Sequence, residues 1–263
     1  LMVLGSAGRD VAEFLHKNYP DEALDILTYK ADGGMTSLRA NPLKGSADEL
    51  CAKLLASGAK EAKRGIVPGS VLARFEGSPA ENELFRQGYF HVEGQASQLA
   101  ALCVDAQPGE TVIDLCAAPG GKTSQLAAAL QGRGLLLANE FVAARAEILR
   151  QNLERMGVAN AIITNEDTAR LAAAMPGRFD RVLVDAPCSG EGMFRKEAAA
   201  AAQHNDGLVA HCAELGAEIL ANAAALLAPG GVLVYSTCTF VPDEDEGQIA
   251  NFLAKHPEFT LCD

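Results

Sequence analysis

Residues 111 to 123 read T-V-I-D-L-C-A-A-P-G-G-K-T. An apolar run closing on Asp114, a turn of small residues with Pro119, Gly120 and Gly121, and a polar restart at Lys122 predict a strand, a tight turn and a helix. Small residues let a ligand approach the backbone closely, and a helix start offers N–H groups with no partner inside the helix. The stretch therefore predicts a nucleotide-like ligand. Its tail G-G-K-T looks like a phosphate loop, but that motif needs glycine at position 116, where the chain has Cys116, so a nucleotide triphosphatase is set aside.

From Ala96 onward apolar strands alternate with helices. The expected series is helix 96–104, strand 111–116, helix 122–130, strand 134–140, helix 143–156, strands 161–165 and 181–185, helix 208–227, strand 232–236 and helix 244–255. Continuously apolar strands separated by helices imply an α/β fold, a Rossmann-like parallel sheet covered on both faces. Ligands of such sheets bind beyond the carboxyl ends of the strands. Three acids fall at successive strand ends, Glu140, Asp167 and Asp185. Each alone reads more simply as a helix cap or a solvated turn. Glu140 is placed to reach both hydroxyls of a ribose and Asp167 to accept from an adenine amino group, and three acids at successive strand ends favour S-adenosylmethionine. A dinucleotide is less well matched, because no G-x-G-x-x-G is present.

Two further strand ends carry thiols. V-L-V-D-A-P-C-S-G-E-G (182–192) presents Cys188 after Pro187, and G-V-L-V-Y-S-T-C-T-F (231–240) presents Cys238. A cysteine after a strand is ordinarily a small buried hydrophobe; two such endings beside a glycine-rich one suggest a single site. The seven cysteines are odd in number, scattered and without a C-x-x-C pair. That argues against a disulfide framework or a zinc ribbon, and the five dispersed histidines suggest no metal.

Residues 1–80 read as a smaller α/β unit, 81–95 as a linker and 96–263 as the catalytic domain. Helices are expected at 11–16 and 21–29, and one after Ser46, whose S-A-D-E has capping-box spacing. Strands are expected at 36–42 and 70–75. Seven basic against three acidic residues lie between Thr36 and Phe75 in a chain of net charge −12, so a basic segment on an acidic body is expected. A solvated helix face would give the same count. With 49% hydrophobic and 21% charged residues, no apolar run long enough to span a bilayer and no leader, the expectation is a cytoplasmic, monomeric protein without membrane partners.

The combination of D-L-C-A-A-P-G-G-K-T, D-A-P-C-S-G-E-G and Y-S-T-C-T resembles the Nop/Sun family of RNA cytosine-C5 methyltransferases. The G-E-G-M-F-R-K extension (190–196) is similar to its bacterial small-subunit rRNA members of the RsmF type. The resemblance implies a methyl transfer from S-adenosylmethionine to a cytosine of RNA, most directly 16S rRNA, with Cys238 as nucleophile and Cys188 as the group that assists release. It implies that Cys116, Ala117, Ala118, Pro119, Gly120, Gly121, Lys122, Glu140, Asp167 and Asp185 hold the cofactor, and that Lys122 and Asp185 also orient the base. L-R-A-N-P-L-K (38–44) is similar to the family's accessory RNA-contacting segment, which adds Arg39, Asn41 and Lys44; Arg195 and Lys196 are further candidates for phosphate contact. The family's sheet closes with more strands, so residues 258–262 are expected to be a sixth strand of a truncated chain. The rival readings are a non-catalytic RNA-binding or ribosome-assembly factor, and a DNA cytosine methyltransferase, which would leave Thr237-Cys238 unexplained. Spacing alone does not choose between the two cysteines.

Overall fold

The structure is a computed structural model that describes residues 16–17, 20–21, 23–24, 34–194 and 198–262. Most of the two helices expected before residue 30 lies outside the described residues. Contacts divide the chain into two units: Asp32–Asp185 with Asn222–Tyr235, and Leu1–Ala31 with Ala186–Ala221 and Ser236–Asp263.

The first of these units holds both sheets. Strands β1 (Thr36–Ala40), β2 (Glu61–Arg64), β3 (Ser70–Arg74) and β4 (Phe90–Val92) form an antiparallel sheet in the order β2-β3-β1-β4. Helix α1 (Ala47–Ala56) starts at Ser46 with the expected capping box, the Ser46 hydroxyl accepting from the Glu49 amide and the Glu49 carboxylate accepting from the Ser46 amide. It lays Leu50 and Leu54 on Leu38, Val71 and Phe90, and each fully buried side chain of this size contributes about 2 kcal/mol. The stretch 81–95, read from its sequence as a linker, contains helix α2 (Glu83–Arg86) and β4, whose residues pair with β1. A strand of three residues after Gly88 is too short to show an alternating pattern.

The second sheet has the order β7-β6-β5-β8-β9, from β5 (Thr111–Asp114), β6 (Leu135–Asn139), β7 (Ala161–Thr164), β8 (Phe179–Asp185) and β9 (Leu227–Ser236). The pairs β5–β6, β6–β7 and β5–β8 are parallel, as their continuous apolar runs require. Helices α3 (Gln95–Cys103), α4 (Gly121–Ala129), α5 (Ala143–Met156) and α6 (Thr168–Ala174) follow the strands in turn. Val112, Leu126, Leu130, Leu136 and Leu183 form the core between α4 and the sheet. The chain moves outward from β5 through β6 to β7 and then returns to β5's other side as β8, so strand order reverses between Asp114 and Asp185. That reversal is where α/β sheets place ligands.

The other unit carries the residues after β8, the short helix α7 (Ala198–Gln203), the first four turns of α8 (Asp206–Leu226), the residues after β9 and helix α9 (Glu246–Lys255). The sixth strand expected at 258–262 is not formed: those residues carry no strand hydrogen bonds. An apolar run lacking a neighbour has no ladder to join. Among the described residues no helix is long and apolar enough to cross a membrane.

Candidate active site

The turn after β5 is fixed mainly through its backbone. The Leu115 amide donates to the Leu183 carbonyl (3.0 Å) and the Ala117 amide to the Asn139 carbonyl (2.8 Å), so both neighbouring strands hold it. Gly120, at φ +107°, caps α4 in the left-handed region; a Cβ there would stand 3.1 Å from Leu149 Cδ1. Only glycine adopts that turn without strain. The α5 side chains Arg145 and Asn152 donate to the carbonyls of Ala118 (3.0 Å) and Pro119 (2.9 Å).

Acids gather round this turn. Asp114 is buried and accepts from the Thr123 hydroxyl at 2.8 Å. Burial, opposed by that hydroxyl and reinforced by nearby Asp185, pushes the Asp114 carboxyl up to about 7. Burial, then the charges of Asp114, Glu140 and Asp185, raise the Cys116 thiol well above its ordinary range, which makes Cys116 an inert lining group. Glu140, 3% exposed, accepts from the Val142 amide at 2.9 Å and pairs with Arg145 at 3.3 Å. Lys122 donates to Asp185 at 2.7 Å and to the Ser97 hydroxyl at 2.9 Å. Asp167 caps α6 by accepting from the Ala169 amide at 2.7 Å, the simpler of its two expected roles.

In the other unit, the Sγ atoms of Cys188 and Cys238 lie 3.3 Å apart, and the Cys238 amide points at the Cys188 sulfur at 3.4 Å. Cys238 is exposed and Cys188 half-buried. The hydrogen bond shared with Cys238, and then burial, push the Cys188 thiol up. The Gly192 amide donates to the Cys238 carbonyl at 2.8 Å, and a Cβ on Gly192 would stand only 2.6 Å from that oxygen.

Residues 101–263 match the sequence profile of the family described as 16S rRNA methyltransferase RsmB/F. The chain belongs to this family. It is 40% identical over 184 residues to the Ribosomal RNA small subunit methyltransferase F of Cronobacter sakazakii, covering 69% of this chain and 38% of that protein. The protein of the same name from Vibrio campbellii is 36% identical over 225 residues, 80% of this chain and 45% of the relative. The chain thus spans about two fifths of the length of the curated relatives it matches. Its fold is similar to that of a methyltransferase homologue from Pyrococcus horikoshii, with a TM-score of 0.79 and 29% identity, over 92% of this chain and 77% of the other. The RsmB/F family and this fold are those of S-adenosylmethionine-dependent methyltransferases.

Set against the family pattern, the accessory segment 38–44 divides. Arg39 and Asn41 are each 2% exposed, so neither is placed for the RNA contact expected of it. Arg39 donates to Glu93 (3.1 Å), to the Gly121 carbonyl (3.0 Å) and to the Ser124 hydroxyl (2.6 Å). Asn41 donates to the carbonyls of Gly88 (2.8 Å) and Met156 (2.7 Å). Both turn donors inside the protein, where buried polar groups need partners, although Arg39 Nη1 is buried without a hydrogen-bond partner among the described residues. Lys44 stays exposed, donating to the Gln87 carbonyl at 2.6 Å. Arg195 and Lys196 lie outside the described residues.

Sequence reasoning did not connect Glu93 or Ser97 to Lys122 and Asp185. The Ser97 hydroxyl donates to Glu93 at 3.3 Å and receives Lys122, so one polar chain runs from Arg39 through Glu93 and Ser97 to Lys122 and Asp185. Glu191, His204 and Glu244, around the two cysteines, were missed as well. G-E-G in the motif was the available signal for Glu191.

Proposed function

We propose that the protein methylates carbon 5 of a cytosine in RNA, with 16S rRNA, free or within the small subunit, as the substrate, through a covalent adduct at Cys238. The observation that carries this reading is the pair of thiols at 3.3 Å, one exposed and one half-buried. Carbon 5 of cytosine is too weak a nucleophile to take a methyl group unaided, so a thiolate must first add at carbon 6.

S-adenosylmethionine, when bound, supplies the electrophilic methyl. The residues present fit it. Helix α4 begins without a side-chain cap, leaving its first N–H groups for the ligand's carboxylate. Glu140 stands at the end of β6 with its carboxylate oriented by the Val142 amide, suited to two ribose hydroxyls. Asp167 keeps acceptor capacity for an adenine amino group, and the lining from Cys116 to Gly121 is small and uncharged.

In the proposed reaction the Cys238 thiolate donates its electron pair to carbon 6, and the carbon 5–carbon 6 π pair moves to carbon 5. Asp185, paired with Lys122, holds cytosine N3 and steadies the charge that builds on the ring. The carbon 5 pair would then take the methyl group, the donor's sulfonium sulfur keeping the electrons of the broken sulfur–methyl bond. Water takes the carbon 5 proton, the carbon–hydrogen pair re-forms the carbon 5–carbon 6 double bond, the bond from carbon 6 to sulfur breaks, and its electrons go back to Cys238. Cys188 serves this release. An unpaired or flipped-out cytosine is required, since a stacked base hides carbon 6.

The test is transfer of labelled methyl from S-adenosylmethionine to isolated 16S rRNA and to small subunits. Cys238→Ala is expected to lower turnover by at least about a thousandfold and to abolish the covalent RNA adduct, whereas Cys188→Ala accumulates a methylated adduct. A stable adduct in the Cys238→Ala protein would exchange the two roles. RNA binding without any transfer by the wild-type protein would favour the non-catalytic assembly factor.

A further inference from the structure

Ser189 follows Cys188 and Thr239 follows Cys238, and these two hydroxyls meet at 3.1 Å in the interior. Ser189 Oγ also lies 2.9 Å from Glu191 Oε1 and 2.5 Å from Glu244 Oε1, and the Ser189 amide donates to Glu244 Oε2 at 2.8 Å. The Thr239 hydroxyl donates to Glu191 Oε2, and His204 Nε2 sits 2.6 Å from Glu191 Oε1. Glu191 and Glu244 are 6% and 1% exposed. The thiol-bearing turns, 50 residues apart, are thus joined through one buried cluster beneath the sulfurs.

A proton count constrains that cluster. Four oxygen–oxygen contacts link the two hydroxyls and two carboxyls, yet the hydroxyls carry only two protons between them. The Thr239 proton serves Glu191. The Ser189 proton serves one partner, so the 2.5 Å contact with Glu244 needs a proton of Glu244's own if Ser189 donates to Glu191, and the 3.1 Å approach of Ser189 to Thr239 is then made without a proton between them. Glu191 faces His204, Thr239 and Ser189, whereas Glu244, besides its Ser189 bonds, faces Glu191, its neighbour Asp245, and the thiols of Cys188 and Cys212.

We infer that Ser189, Thr239, Glu191 and a protonated Glu244 form a clasp that sets the separation of the Cys188 and Cys238 sulfurs, with Glu244 and Ser189 as positioning residues. The clasp deepens the methyl-transfer reading, on which its use in catalysis rests; its effect on thiol geometry does not depend on that reading. Burial raises the Glu244 carboxyl above its ordinary value, against the Ser189 hydrogen bonds. Burial also opposes the ionised form of Glu191, but the hydrogen bonds it receives hold it below the ordinary value. Both directions agree with the proton count.

The experiment measures closure of the Cys188–Cys238 disulfide in the purified protein, without RNA or cofactor, by peptide mass after brief exposure to diamide. The two thiols lose two electrons and two protons to the diazene, which becomes the hydrazine. Glu244→Ala and Ser189→Ala are expected to close about tenfold more slowly. Glu244→Gln, whose amide donates to Ser189 Oγ and whose carbonyl accepts from the Ser189 amide, should match wild type within about twofold. Because Glu244 clasps in its protonated form, the wild-type rate divided by the Glu244→Gln rate should fall as pH rises.

Closure in Ser189→Ala as fast as in wild type, with circular dichroism showing both folded, would overturn the clasp. A ratio independent of pH, or a Glu244→Gln protein as slow as Glu244→Ala, would overturn the protonated Glu244. Closure behaving as expected in a protein that transfers no methyl would leave the clasp standing and remove the methylation reading.

Discussion

Two turns in this chain follow strands that end on aspartate, the one after Asp114 and the one after Asp185, and they are held in different ways. The first is bonded through its own backbone to β6 and β8, and its helix end is tied by Arg39 to Glu93, Gly121 and Ser124. The second is held through shared protons, with Ser189 against Glu244, Glu191 and Thr239. An ion pair buried beside fixed backbone is stiff. A hydroxyl and carboxyl cluster gives way when one proton leaves. The contrast suits what each turn is proposed to do: cradle a ligand of constant shape, or hold two thiols that change bonding partners during a turnover.

The largest effect should come from the stiff turn. Arg39→Ala leaves the Glu93 carboxylate buried without its partner and is expected to cost about 3–5 kcal/mol in chemical denaturation. A loss below about 1 kcal/mol would mean that the turn does not depend on this ion pair, and the contrast would fail. Asp114→Asn tests the same turn by pH. The Asp114 carboxyl is raised from 3.8 to about 7, so its contribution to stability is fully present below about pH 4 and is lost as pH rises towards 7. The substitution should flatten that part of the stability profile by on the order of 3 kcal/mol, read from urea melts across the window; an unchanged slope would locate the titration elsewhere. The smallest effect is expected at Lys44, whose exposed side chain donates to the Gln87 carbonyl and stands 6.0 Å from the Tyr89 ring centroid. Lys44→Ala should change stability by less than about 0.5 kcal/mol and lower the salt dependence of RNA binding by about one unit of slope. An unaltered slope would leave segment 38–44 with a purely structural role.

Much of the parallel sheet was legible because apolar runs, small-residue turns and helix caps are local signals. Val112, Ile113 and Val182 to Val184 declare buried strands by themselves, and Ser46 with Glu49 declares a helix start. The strand at 90–92 was not legible, since its membership depends on pairing with β1, about 50 residues earlier. The two cysteines were legible as strand-end thiols. Their meeting in one site was expected from the two strand ends, and the sulfurs lie 3.3 Å apart; the cluster of Glu191 and Glu244 was not, because local pattern cannot connect those residues. Arg39 shows the opposite failure: a basic residue in a basic segment reads as a surface group until Glu93 and the start of α4 are found around it. Burial of a charge is decided by partners remote in sequence.

Gly192 carries a consequence for anyone who would move this chemistry to another scaffold. Its amide meets the Cys238 carbonyl, and no side chain fits between them. The spacing of four residues from Cys188 to Gly192 therefore acts as a gauge for where the other cysteine's backbone lies. A graft of the two thiols alone would transfer the reagents without the gauge. The minimum portable module is the pair of segments 188–192 and 238–244, inserted together and with no change in length.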